Sequence, residues 1–131
     1  MRIAYLKKDF YDKIYDLISP IESNISNQYL DRITEGKVQF PYITLKTSIG
    51  NENIGTQMIH NRSGDIRVIV YHTEYEAMCN IVSQITTALE TGDSEFRLGE
   101  YDEDDDMLEY DGKRPYYTAI DIKVSLYPNG L

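Results

Sequence analysis

Residues Gly64 to Glu90 read GDIRVIVYHTEYEAMCNIVSQITTALE, and the spacing of their apolar residues changes once, near His72. Upstream, Ile66, Val68 and Val70 alternate with Arg67, Ile69 and Tyr71, the two-residue period of a strand running from Asp65 through His72. Both of its faces are partly apolar, which suggests a central place in a sheet. Downstream, Thr73-Glu74-Tyr75-Glu76 has the form of a capping box, so a helix is expected to begin there, run to Glu90 and close at Gly92. Tyr75, Met78, Cys79, Val82, Ile85, Thr86 and Leu89 make its apolar face.

The opposite face of this helix is unusual. No residue from Ala77 to Leu89 is charged, and the outward positions are Asn80, Ser83, Gln84 and Thr87. A solvated helix face normally carries Lys, Glu and Arg, which favour helix formation and solubility. Charge is depleted where a second surface covers a protein, so these four residues are candidates for a subunit interface. A covering loop of the same chain, or simple drift to uncharged polar residues, would leave the same pattern.

Working outward, Ile3, Leu6, Phe10, Ile14, Leu17 and Ile18 recur at helical spacing and Pro20 stops them, giving an amphipathic first helix. The stretch Ser19 to Gln39 is polar and irregular, with Ile21, Ile25, Leu30 and Ile33 as anchors, and reads as a loop with at most a short helical turn. From Pro41, Ile43, Leu45, Thr47 and Ile49 alternate with Tyr42, Thr44, Lys46 and Ser48, a half-buried strand; GNENIGTQ beyond it has turn composition. The C-terminal third reads as a hairpin. Its strands are expected at Glu95 to Tyr101 and Tyr116 to Tyr127, joined by the acidic segment that contains Asp102, Glu103, Asp104, Asp105 and Asp106. Elements in the order α-β-β-α-β-β make an α+β domain over residues 1–131: an antiparallel sheet of about four strands with two main helices packed on one face.

The chain has 131 residues, enough for one core, and 22 acidic against 13 basic residues give a formal charge of −9. That balance argues against gripping phosphate by charge and against sequence-specific nucleic-acid binding. No apolar run approaches bilayer length, so no membrane association is expected, and the N-terminus lacks a signal-peptide core. Cys79 is the one cysteine and cannot form an internal disulfide, which suits a reducing compartment. The twelve tyrosines, with no tryptophan, suit half-wet surfaces and interfaces as well as core rims.

Catalytic and metal patterns fail on inspection. Asp102, Asp104 and Asp106 have the spacing of the first ligands of a calcium loop, but the position needing Gly is Met107 and the one needing Glu is Lys113. Gly50 and Gly55 have phosphate-loop spacing without the lysine, and His72-Thr73-Glu74 lacks the cysteine pair of a zinc deaminase. His60 and His72 sit in different elements, and Cys79 lies on the apolar face of its helix. No metal, cofactor or catalytic residue is assigned, and the chain is not expected to be an enzyme.

The order of elements is the more telling feature. The run FPYITLKTS, then GDIRVIVYHTEYEAMCNIVSQITTALE, a strand, a polar hairpin and YYTAIDIKVSLY resembles the tail-completion, or tail-terminator, proteins of long-tailed bacteriophages. The corresponding parts are Asp9 to Ile18, Pro41 to Ile49, Asp65 to Leu89 and Glu95 to Tyr127. The resemblance implies a non-enzymatic structural protein of the virion, made in the bacterial host cytoplasm, that forms a ring, usually hexameric, on the head-proximal end of the tail tube. Its partners would be further copies of itself, the tail tube protein and the head connector or stopper protein. On that reading the acidic loop faces the DNA channel, where carboxylates repel phosphate, or lies on the outer rim. An acidic DNA mimic that occupies a nucleic-acid-processing protein is the alternative, and it requires carboxylates spread over an extended surface.

Overall fold

The computed structural model describes residues 3–30, 33, 38–51, 62–91, 96–107, 112 and 114–126. Seven elements follow one another: α1 (Ile3–Ile18), β1 (Ile25–Ser26), β2 (Tyr42–Asn51), β3 (Arg62–His72), α2 (Tyr75–Thr91), β4 (Phe96–Met107) and β5 (Tyr116–Leu126). The strands form one sheet in the order β1-β2-β3-β5-β4, antiparallel except where β1 runs parallel to β2. The α+β class and the two long helices agree with the sequence reading, and the sheet has a fifth strand. Among the described residues, no helix is long and apolar enough to cross a membrane. Expected features at Gly92, at His60 and in the turn beyond Asn51 fall outside the described residues, as do the side chains of Ile3 and Leu6.

The expected central strand is central. In β3, Ile66, Val68 and Val70 are buried with Ile43 and Leu45 of β2, Ile120, Ile122 and Val124 of β5, and the two helices. From α1 come Phe10, Ile14 and Ile18, successive at four-residue spacing and therefore on one face; from α2 come Met78, Val82, Ile85 and Leu89. The alternate positions of the same strands, Ile69 and Tyr71 with Tyr42 and Ala119, are also buried, in a second cluster with Leu30. The sheet therefore has core on both sides at one end.

The segment after α1 accounts for that second cluster. Ile21 and Ile25 pack against the helix-side core, whereas Tyr29, Leu30, Ile33, Val38 and Phe40 belong to the other side. The chain has crossed the sheet edge in between, and β1 marks the crossing: Ile25 and Ser26 stand opposite Ile43 and Thr44, and the Ile43 amide donates to the Asn24 carbonyl at 2.9 Å. The Gln28 carbonyl then accepts from two hydroxyls, Tyr42 Oη and Thr44 Oγ1, which satisfies the buried Thr44 and ties the segment down. The Asn24 side-chain amide donates to the Gln39 and Pro41 carbonyls at 2.7 and 2.9 Å, closing its far end across a cis Phe40–Pro41 bond.

The start of α2 differs from the expected capping box. The first helical bond runs from the Met78 amide to the Glu74 carbonyl at 3.0 Å, so Glu74 rather than Thr73 stands at the cap. The Glu74 amide donates to His72 Nδ1 at 3.1 Å, which places this histidine at the strand end as a local acceptor.

Gly64 fixes how closely α1 approaches the sheet. A Cβ there would lie 3.0 Å from a Phe10 ring carbon and 3.1 Å from Val124 Cγ2. Replacing Gly64→Val should destabilise the fold by about 1–3 kcal/mol through overpacking, measured by urea unfolding. Adding Phe10→Leu to that variant should recover part of the loss, since the ring is what the new side chain meets.

Candidate interaction surfaces

On α2, the buried residues Met78, Val82, Ile85 and Leu89 recur every three or four positions, so Asn80, Ser83, Gln84 and Thr87 fall on the side away from the sheet. All four are exposed. Tyr75, expected on the apolar face, is 49% exposed, and Cys79 and Thr86 are half-buried, so the core stripe is narrower than the sequence suggests. The three threonine hydroxyls of this helix turn inward on its own backbone. Thr86 and Thr87 both donate to the Ser83 carbonyl at 3.0 Å, and Thr91 donates to the Thr87 carbonyl at 2.9 Å. A hydroxyl already bonded within the helix loses little when water is removed from above it. Between Glu76 and Glu90 the surface thus carries no charge, and its Thr87 hydroxyl is already bonded, leaving the Asn80 and Gln84 amides and the Ser83 hydroxyl to be matched by whatever covers it.

The acidic segment is not the connecting loop of the hairpin. Strand β4 continues through it to Met107, and Asp102 to Met107 stand opposite Asp121 to Tyr116 of β5. Asp and Glu are poor strand formers, so local preference argued against this pairing. The ladder with β5 overrides it, after a register shift between Leu98 and Tyr101. One side chain contributes directly: the Asp105 carboxylate accepts from Thr118 Oγ1 at 2.9 Å, and Thr118 is buried beside Met78 Sδ at 3.5 Å. The Asp106 carboxylate accepts the Met107 amide at 2.8 Å. Extended backbone separates Asp102, Asp104 and Asp106 by roughly 7 Å at each step, so they do not curl around a cation. Among the described residues no group of His, Cys, Asp and Glu is placed to hold a metal ion.

Charges on the open face form a row that single-sequence patterning does not reveal. Lys46, Arg67, Asp121 and Asp102 stand in register across β2, β3, β5 and β4. The Lys46 ammonium lies 4.7 Å and the Arg67 guanidinium 5.9 Å from the Tyr29 ring centroid, and Arg67 Nε is 3.8 Å from Asp121 Oδ1. The row is positive toward β2 and negative toward β4. Only the register, a long-range property, could have exposed it.

Two further features lie apart from these surfaces. Tyr75 and Tyr116 pack edge to face at 5.3 Å, and Met107, 44% exposed, stands opposite Tyr116. A cleft of about 420 Å³ opens between Glu22, Asn24 and the residues Val38 to Tyr42. The Asn24 side-chain amide that lines it is already bonded to backbone carbonyls. The Tyr11 phenol is pushed above its ordinary range by burial first, then by Tyr15, Asp12 and Tyr42, and offers no base.

No protein-family model matches the chain, and no curated protein matches it.

Two consequences can be measured on the isolated chain. Gln84→Lys should change unfolding stability by no more than about 0.5 kcal/mol, because the side chain is exposed on the outer face of α2. Thr118→Val should cost about 1–2 kcal/mol by the same measurement, because the Asp105 carboxylate loses its buried donor.

Proposed function

We propose that the chain is a non-enzymatic structural protein of a phage virion, forming a ring that caps the head-proximal end of the tail tube and joins it to the head connector. The observation that carries the reading is the exposed stretch of α2 between Glu76 and Glu90, uncharged from Ala77 to Leu89, where the Thr87 hydroxyl is already bonded to its own helix. Such a face is suited to burial against another molecule. The order of elements supports the same reading through its resemblance to tail-completion proteins. In a ring, this face meets a different patch on the neighbouring copy, a heterologous contact that closes.

The acidic strand has a role to match. Carried beside a channel, Asp102 and Asp104 would keep the duplex from adhering to the wall by repelling its phosphates. The strand geometry also favours a second reading, because a straight row of carboxylates at alternate positions is nearer to a phosphate backbone than a loop would be. A stable monomer that inhibits a DNA-processing enzyme at stoichiometric ratio would select mimicry.

The decisive comparison is electron microscopy of tail tubes assembled with and without the chain. Tubes should end in a ring at one end and stop growing only when the chain is present. Asn80→Lys with Gln84→Lys should abolish the ring while the protein stays folded; rings formed unchanged by this variant would contradict the interface. Asp102→Asn with Asp104→Asn should leave rings intact and slow DNA ejection, read as lower infectivity, and unchanged infectivity would remove the channel role.

A further inference from the structure

The sheet ends in two dissimilar edges. On one side β4 is the last strand, and among the described residues nothing pairs with its outer side. On the other side β1 covers only Ile43 and Thr44 of β2, so from Leu45 to Asn51 no described strand lies beyond β2. Long open edges are templates for pairing with another chain. The regular part of β4, Tyr101 to Met107, is as long as the open part of β2, Leu45 to Asn51.

We infer that a second copy of this chain is the occupant of both edges, with β4 of one copy pairing against Leu45–Asn51 of β2 in the next and continuing the sheet across the subunit boundary. Strand direction permits it. Each of the steps β2 to β3, β3 to β5 and β5 to β4 is antiparallel, so β4 runs opposite to β2. A copy placed head to tail therefore offers its β2 antiparallel to β4, the more stable pairing. Charge selects this partner over the symmetric one. Two β4 edges meeting face to face would oppose Asp102 to Asp106 with the same residues, and like charges directly opposite are destabilising. The open part of β2 contains Lys46 and no acidic residue, and Arg67 stands beside Lys46 in register. Laid end to end, the two open stretches bring Lys46 opposite Asp106 and Ser48 opposite Asp104.

The contact is heterologous, so it propagates around a ring or along a filament rather than stopping at a dimer. It deepens the ring proposed above and rests on that reading for its closure. It uses a different surface from the outer face of α2, so the two can be lost separately.

Carbodiimide cross-linking of the unmodified chain, followed by peptide mass spectrometry, tests the joint. The expected product is an intermolecular bond between Lys46 and an aspartate of the Asp104–Asp106 run. By sedimentation, Lys46→Glu and Asp106→Lys should each weaken self-association by about tenfold or more, and the double reversal should recover it. Circular dichroism of each variant separates loss of association from loss of fold. An oligomer that forms without the Lys46 link, or double-reversal protein no better than either single variant, overturns the joint while leaving a ring built on α2. A chain that stays monomeric up to about 1 mM also overturns it. A linked, rescued oligomer that never caps tail tubes upholds the joint and removes the tail reading.

Discussion

Strand β3 is buried on one face from Ile66 to Val70 and on the other at its Ile69–Tyr71 end, and the remaining elements are arranged to keep it so. Ile66, Val68 and Val70 need cover on one side, Ile69 and Tyr71 on the other, and one sheet has only helices to offer on its first side. Two helices meet the first need, α1 against β2 and α2 against β3 and β5. The second is met by chain that must travel from the end of α1 around the sheet edge, which is why an irregular segment lies between α1 and β2. Its two-residue strand and the paired hydroxyls on the Gln28 carbonyl are the fastenings of that passage. Buried polar groups on this route are satisfied, and so they fix one path for the chain rather than several.

Putting the central strand under such constraint frees the periphery for other uses. Helix α2 needs only one narrow stripe to hold the sheet, which leaves Asn80, Ser83, Gln84 and Thr87 outside the fold's own requirements. Strand β4 is held along one side by β5 and by the Thr118–Asp105 bond, so its composition need not favour a strand. Both peripheral elements are chemically odd for a self-sufficient domain, one a helix face uncharged from Ala77 to Leu89 and the other an edge with too much charge. Each oddity is accounted for if the chain works in company, with α2 and the sheet edges meeting other molecules.

Those elements whose apolar residues repeat at a fixed period were legible in the sequence. The alternation from Ile43 to Ile49, from Ile66 to Tyr71 and from Thr118 to Leu126 located three strands, and four-residue spacing located both helices to within two residues. The acidic half of β4 was illegible for a physical reason: Asp102 to Asp106 pair because β5 is already in place, and no local preference records that. β1 has no period at all, being two residues long. Tyr42 stood on the outer side of what read as a half-buried strand, and its cover, like that of Ile69, Tyr71 and Ala119, comes from residues far along the chain. Of the surfaces, the uncharged face of α2 could be read directly. The row from Lys46 to Asp102 could not, since it exists only once the register is set.

The claim that α2 has two covered sides, one by its own sheet and one by a different molecule, is open to a direct measurement. A nitroxide attached at Gln84→Cys, in a Cys79→Ala background, reports water access by its collisional broadening with a soluble relaxation agent. The probe should be accessible in the free chain and shielded in the assembled particle. Equal access in both states would contradict the account.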